Sequence, residues 1–330
     1  MTYVELPDNG PRRLSFYLAM EEFVAREKAA GDYFFMWQTP PSVIFGRNQL
    51  IESEVNIPFC RNNGIAMYRR KSGGGCVYSD GGNVMMSYIT KDDHVGLTFS
   101  RYINMIALVL SRIGIAAAVT GRNDILIGGR KVSGTAFYRL PGRDIVHGTL
   151  LYDTDMRLMT GSITPADSKL QSKGVKSVRQ HITLLKDHTE KSLGEIIVAF
   201  RQTLCSTTMT LDDDDIREIE KIEEEYLDDS FIFGNNPKYT VVKKKRIENV
   251  GDLELRMEIK TEAGGGKVRK VIKSVNLLGD FFLTGDLDAL LGRLINRAAD
   301  RAELEAALGD AAEQAILNLK KQELINLILL

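Results

Sequence analysis

The sequence predicts an α/β protein whose mixed sheet is built partly from hairpins, followed by a small α+β accessory domain at the C-terminal end. Three observations carry that expectation. Strand-like runs at 124–127, 131–138 and 144–151 are separated only by the turn signals Gly128-Gly129 and Pro141-Gly142. They read as adjacent hairpins, not as alternating βαβ units, which argues against a doubly wound nucleotide fold. The 330 residues exceed what one small core organises, so two domains are expected. Around 234–237 the pattern changes, giving way to three strand-like runs and then helices. With the run at 239–246 taken as a connecting strand, the domains are 1–245 and 246–330.

Taken in order, residues 13–29 form the first helix, with Leu14, Tyr17 and Leu18 on one face and Pro11 before it. Strands at 33–37 and 42–45 are separated by Pro40-Pro41, which forbids a continuous ladder. Gly46-Arg47-Asn48-Gln49 turns the chain. A run at 65–68, a glycine-rich loop and a strand at 85–89 follow, then an apolar helix from about 98 to 113 and a strand at 116–119. Residues 165–186 are polar and turn-rich, and a loop this long is more often functional than idle. Helices resume at 192–204 and 216–226. The acidic run 212–215 sits just before the second, where it complements the helix N-terminus. Strands at 239–246, 253–260 and 268–273 come next, the last two joined by the hairpin tip 264–266, and the basic run 243–246 reads as a solvated strand face. Helices at 287–297 and 303–308 and an amphipathic tail at 315–329 close the chain.

Composition excludes several classes. With 43 basic and 44 acidic residues the net charge is -1, so there is no overall electrostatic footprint for nucleic acid. No apolar run reaches the roughly 18–20 residues a membrane span needs, and the N-terminus lacks the layout of a signal peptide. A cytoplasmic monomer without membrane or nucleic-acid partners is expected. The three cysteines are scattered and the four histidines show no ligand spacing.

Chemistry concentrates in two stretches. In RRKSGGGCVYSDGGN (69–83) two arginines and a lysine run into three consecutive glycines. A backbone without Cβ atoms approaches a ligand closely and points N–H groups at it, and the cations favour an anion. On the glycines alone, a flexible hairpin loop with solvated charges reads equally well. The second stretch is 121–149. There Arg122-Asn123-Asp124, Lys131, Ser133, Gly134 and His147-Gly148-Thr149 interrupt strands otherwise made of Ile, Val, Leu, Ala and Tyr. Polar groups so placed must bond each other or a ligand. Lys131 can aim a compact cation at a carboxylate or phosphate, or it can be a strand-edge lysine that wards off edge pairing.

These residues together resemble the lipoate–protein ligase A family. RRKSGGGCVYSDGGN is similar to that family's lipoate-binding loop (RRxSGGGxVxxDxGN), GRNDILIGGRKVSGTA to its GRND…KxSGxA segment, and VHGTLL to its (H)HGTLL. Trp37 and Gly46-Arg47-Asn48-Gln49 resemble the approach to the loop. KGVKSVRQHITLL (173–185) resembles the segment that folds over the adenylate, and FGNNPKYTV the entry to the C-terminal domain. Four departures are visible: Cys76 for Ala, Ser79 where His is common, Val146 for the first His of the pair, and the interrupting Gln180 and His181.

The resemblance implies a biotin/lipoate ligase-like catalytic domain and a two-step reaction. ATP and lipoate give lipoyl-AMP and pyrophosphate, and a lysine of a lipoyl domain then takes the acyl group. Two anions must meet in the first step, so Lys131 is the expected catalytic cation. It is expected to share one elongated slot with Gly73–Gly75. Trp37, Arg70, Ser72, Gly73, Gly74, Gly75, Cys76, His147 and Gly148 are expected to hold lipoate. His147 is open to two further readings, a proton relay or a core histidine bonding across strands. The nucleotide falls to Arg70, Gly75, Val77, Tyr78, Asn83, Asn123, Asp124, Lys131, Ser133, Gly134, Thr149, Lys173, Val178 and Arg179. Asp124 is the candidate Mg²⁺ ligand, and 173–179 the candidate flap that excludes water. The implied partners are lipoyl domains of 2-oxo-acid dehydrogenase acyltransferase subunits, the glycine-cleavage H protein, or both. Two alternatives compete: an ATP-independent octanoyl or lipoyl transferase using Cys76 as acyl carrier, and a non-catalytic binder of lipoylated partners. A biotin ligase would need a GRGRxGR-type loop, which the chain lacks.

Overall fold

The computed structural model describes residues 1–8, 10, 12–119, 124–163, 182–234, 239–264 and 267–330. By its contacts the chain divides into two compact units. One comprises Met1–Phe45, Ile51–Lys71 and Cys76–Phe233, the other Gly46–Leu50, Ser72–Gly75 and Gly234–Leu330. The boundary expected near 245 therefore moves. It would cut the strand Val241–Ile247, which pairs along its whole length with the next strand and so belongs to the C-terminal unit.

The first unit is organised by an eight-stranded sheet. Its strands in chain order are β1 (Thr2–Glu5), β2 (Tyr33–Trp37), β6 (Asn83–Lys91), β7 (Ala117–Val119), β8 (Asp124–Ile127), β9 (Arg130–Leu140), β10 (Arg143–Leu151) and β11 (Thr207–Thr210). The spatial order is β11-β1-β2-β6-β10-β9-β8-β7. β1 pairs in parallel with β2 and β11, and the remaining pairings are antiparallel, so the sheet is mixed as expected. A smaller sheet joins β3 (Ser42–Phe45) to β4 (Ala66–Arg69) and β5 (Val77–Ser79). β1, β5 and β11 are absent from the sequence reading; each is only three or four residues long. Helix α1 (Leu14–Glu27) covers one face of the large sheet, its core including Phe23, Phe35, Met85, Ile89 and Ile145. The acidic helix Asp213–Leu227 packs beside it. There Asp212 is the N-cap of a capping box with Asp215, so most of the acidic run forms the first turn of the helix instead of preceding it. The helix Val95–Arg112 packs on β10 and β8, with Tyr102 reaching Met86 O of β6.

The second unit contains the antiparallel sheet β12 (Val241–Ile247), β13 (Gly251–Gly264) and β14 (Lys267–Gly279). β13 and β14 are longer than their apolar runs suggest. The helices Leu287–Gly292, Arg301–Leu308, Ala311–Ala315 and Lys321–Leu329 share a core with them that includes Leu255, Met257, Leu277, Phe281, Leu304 and Ile325. Within the basic run, Lys243 is not a solvated strand residue. Its ammonium donates to Ile328 O at 2.6 Å and so satisfies a carbonyl in the last turn of the terminal helix.

Candidate active site

Pairing register assembles a site that chain order does not show. Trp37 of β2 lies opposite Met85 of β6, Met85 opposite Thr149 of β10, Thr149 opposite Gly134 of β9, and Gly134 opposite Asp124 of β8. Directly paired residues share a face, so these five form one row across five strands, about 19 Å long at the usual strand spacing. Lys131 joins the row through a β-bulge. The β8–β9 register shifts between Ile125 and Leu126, which leaves Val132 as the extra residue. Simple alternation would put Lys131 with Ser133 on the other face. The bulge re-aims it, so that its Cε and Nζ would lie 3.0 Å from a Cβ built on Gly134. Its ammonium ends 2.8 Å from Asp124 Oδ1, with both side chains about one-third exposed (39% and 32%). A side chain at 134 would therefore press on the end of the lysine. On the backbone side, Thr183 N–H donates to Lys131 O at 2.9 Å.

One row along, Phe35, Ser87, His147 and Ala136 are paired on the same face. Over this row sits a residue that sequence reasoning missed. Glu21 of α1 is fully buried, accepts from Ser87 Oγ at 2.6 Å and lies 2.8 Å from His147 Nδ1. Trp37 Nε1 donates in turn to Ser87 Oγ at 2.8 Å. His147 is therefore a partnered histidine of the core. The signal is legible in the chain: Glu21 and Glu22 sit between Met20 and Phe23 in an otherwise apolar helix, and buried carboxylates are rarely idle. Trp37 also stacks on Tyr17, with centroids 4.7 Å apart, and forms part of the lining of a cavity of about 570 Å³ with Met20, Phe35, Glu5 and Arg201.

The loop cations divide by partner. Arg70 is buried and donates to Ile44 O, and burial lowers its guanidinium to about 10, with Cys76 and Glu21 opposing that shift. Lys71 is held by Glu22 at 2.8 Å and Glu225 at 2.6 Å. Arg69 donates to the Phe231 and Ile232 carbonyls. These contacts bear on the transferase alternative. Lys71, the loop lysine that could favour a thiolate at Cys76, is committed to two carboxylates. Burial, with Glu54 adding to it, pushes the Cys76 thiol well above its ordinary value, and Arg70 only partly offsets this.

Other expected site residues are placed elsewhere. Ser133 lies opposite Leu150 on the reverse face, buried, its hydroxyl without a hydrogen-bond partner among the described residues. Gly148 also turns to that face, where a Cβ would meet Tyr102 Oη at 2.7 Å. Val77 and Tyr78 pair with Ile44 and Val43 in the small sheet. Asn83 bridges Tyr78 O and Thr154 Oγ1, each at 3.2 Å. Asn123, Lys173, Val178 and Arg179 lie outside the described residues, as do Gln180 and His181. In the second unit, Ser72, Gly73, Gly74 and Gly75 form a loop against the turn 46–49: Arg47 N–H donates to Ser72 O at 2.9 Å.

Residues 14–204 match the family model described as the lipoyl protein ligase A/B catalytic domain, which sets the class of the first unit. Residues 236–328 match that of the bacterial lipoate protein ligase C-terminus. The chain is 32% identical to lipoate–protein ligase 1 of Staphylococcus aureus, over 89% of each chain. It is 30% identical to lipoate-protein ligase LplJ of Bacillus subtilis, over 97% of each. Among solved structures, that of P. falciparum LipL1 in complex with lipoate superposes with a TM-score of 0.75 at 21% identity, covering 100% of this chain and 98% of that one. Lipoate-protein ligase A bound with ATP gives 0.62 at 22% identity, over 71% of this chain and 98% of the other. The bipartite ligase of Thermoplasma acidophilum, described with its E2 lipoyl domain, gives 0.64 at 24% identity, over 73% and 98%. The chain belongs to the lipoate–protein ligase family.

Proposed function

We propose that this protein activates lipoate with ATP, releasing pyrophosphate, and passes the lipoyl group from lipoyl-AMP to a lysine of lipoyl-carrier domains. The observation that carries the reading is the row ending at Lys131. With Trp37 at one end of that row, a carboxylate arriving at the other end meets the Lys131 ammonium held against Asp124. Lys131 holds that carboxylate near the α-phosphate and stabilises the charge that builds on both. Arg70 acts at the acyl or phosphate end, and Thr149 and Gly134 serve the nucleotide side. The relatives add support, since P. falciparum LipL1 was solved with lipoate and lipoate-protein ligase A with ATP.

Mg²⁺ fits as an ion held mainly by substrate. Among the described residues no three His, Cys, Asp or Glu side chains group as metal ligands, and Asp124 shares its carboxylate with Lys131. An ion there would take most of its ligands from phosphates and water and would neutralise phosphate charge. The acceptors are lipoyl domains of 2-oxo-acid dehydrogenase acyltransferase subunits, the glycine-cleavage H protein, or both. The Thermoplasma ligase, described with its E2 lipoyl domain, supports that class. The protein works as a monomer in the cytoplasm; among the described residues no helix is long and apolar enough to cross a membrane.

The test is lipoate-dependent pyrophosphate release. A single-turnover burst is expected without acceptor, and sustained release with an apo lipoyl domain. Folded protein that releases none would be a binder of lipoylated partners, and the ligase reading would fall.

A further inference from the structure

We infer that the main chain at Phe281 is a positioning element for the triple-glycine loop, so that the shape of the acyl-binding loop is set by the core of the C-terminal unit. The inference rests on the ligase reading for the loop's role, and its geometry stands independently. Within the second unit, Phe281 O accepts from Gly74 N–H at 3.3 Å and would lie 2.1 Å from a Cβ on Gly73. That distance is far below any real contact, and the obstacle is backbone, which cannot swing aside. Gly74 itself has φ +85. On the other side, a Cβ on Gly46 would meet Gly74 O at 2.2 Å, and Gly279 N–H donates to Asn48 O at 2.7 Å.

Three segments far apart in sequence, 46–49, 72–74 and 279–281, are thus joined through backbone contacts. The Phe281 ring is fully buried in the C-terminal core with Leu277 and Leu283. One residue therefore anchors in that core by its side chain and shapes the loop by its carbonyl. The glycines then separate by role. Gly73 and Gly74 are demanded by the protein's own packing and backbone geometry. A Cβ on Gly75 would meet nothing within 4 Å among the described residues, so the packing that demands glycine at 73 does not extend to 75.

The experiment compares Gly73→Ala with Gly75→Ala in the full chain by hydrogen–deuterium exchange and steady-state kinetics. Gly73→Ala should raise exchange in peptides covering 72–75 and 279–283 together. It should also raise the lipoate KM about tenfold, the value of one lost hydrogen bond at the upper end of its range, with the ATP KM unchanged. Gly75→Ala should raise the lipoate KM and leave 279–283 at the wild-type rate. Should Gly73→Ala not fold, Phe281→Leu carries the test: it should speed exchange at the Gly74 amide and raise the lipoate KM. Unchanged exchange at 279–283 and an unchanged lipoate KM in Gly73→Ala would overturn the inference, as would unchanged Gly74 exchange in Phe281→Leu. Failure of the ligase reading shows separately, as absence of lipoate-dependent pyrophosphate release in the wild type, and leaves the exchange comparison readable.

Discussion

Replacing Lys131 by alanine should separate catalysis from stability, because the structure makes the two costs unequal. The lysine's ion pair with Asp124, at 2.8 Å, joins side chains that are 39% and 32% exposed. Ion pairs open to solvent to that degree contribute about 0.2–1 kcal/mol. The methylenes cross Gly134 at the surface, so truncation leaves no enclosed cavity. A change near 1 kcal/mol shifts the melting temperature of a unit this size by about 2–4 °C. Loss of one preorganised contact to a developing charge costs on the order of 10²–10³ in rate, or about 2.7–4 kcal/mol. Lys131→Ala should therefore melt within a few degrees of wild type while lipoate-dependent pyrophosphate release falls by at least about a hundredfold. Lys131→Met, which keeps the bulk and removes the charge, should match it in rate. Activity within tenfold of wild type in both variants would refute the assignment. A large drop in melting temperature for both would make the lysine structural.

Cys76→Ala should retain most ATP-dependent lipoylation, since burial already holds the thiol protonated; an acyl adduct on Cys76 in the mass spectrum would reverse that. Glu21→Ala should remove the acceptor of the Ser87 hydroxyl and the carboxylate beside His147 Nδ1 in the core, and destabilise by about 2–4 kcal/mol in denaturant titration. A loss below about 1 kcal/mol would mean that those groups find other partners. In the C-terminal unit, burial alone would raise the Glu254 carboxyl, but Lys244 and Arg256 hold it below its ordinary value of 4.5. Its folded value being depressed, its contribution is complete above the unfolded value and fades as pH falls through the folded one. Glu254→Gln should flatten the acid limb of the stability curve, and an unaltered slope below pH 4.5 would count against the pair.

Much of the fold is legible in the chain. Pro40-Pro41 and Gly128-Gly129 end elements because of what those residues do to the backbone, and the strands 33–37, 42–45 and 124–127 follow at the expected bounds. Ser192 and Asp212 cap their helices through side-chain oxygens that the sequence displays. β12 reads as a connector because its composition is that of any exposed strand, and only its pairing with β13 assigns it to the C-terminal unit.

The candidate site divides in the same way. By itself the sequence determined the residue types: a lone strand lysine with an aspartate nearby, glycines in a run, and an indole at the start. These follow from local chemistry and from motif order. Tertiary structure decided which of them meet. One unpaired residue at Val132 moves Lys131 from the face of Ser133 to that of Thr149, Gly134 and Asp124. A helix begun more than a hundred residues earlier lowers Glu21 onto His147. A strand's side-chain period is two, so a single bulge exchanges its faces, and register is a property of the partner strand as much as of the chain itself.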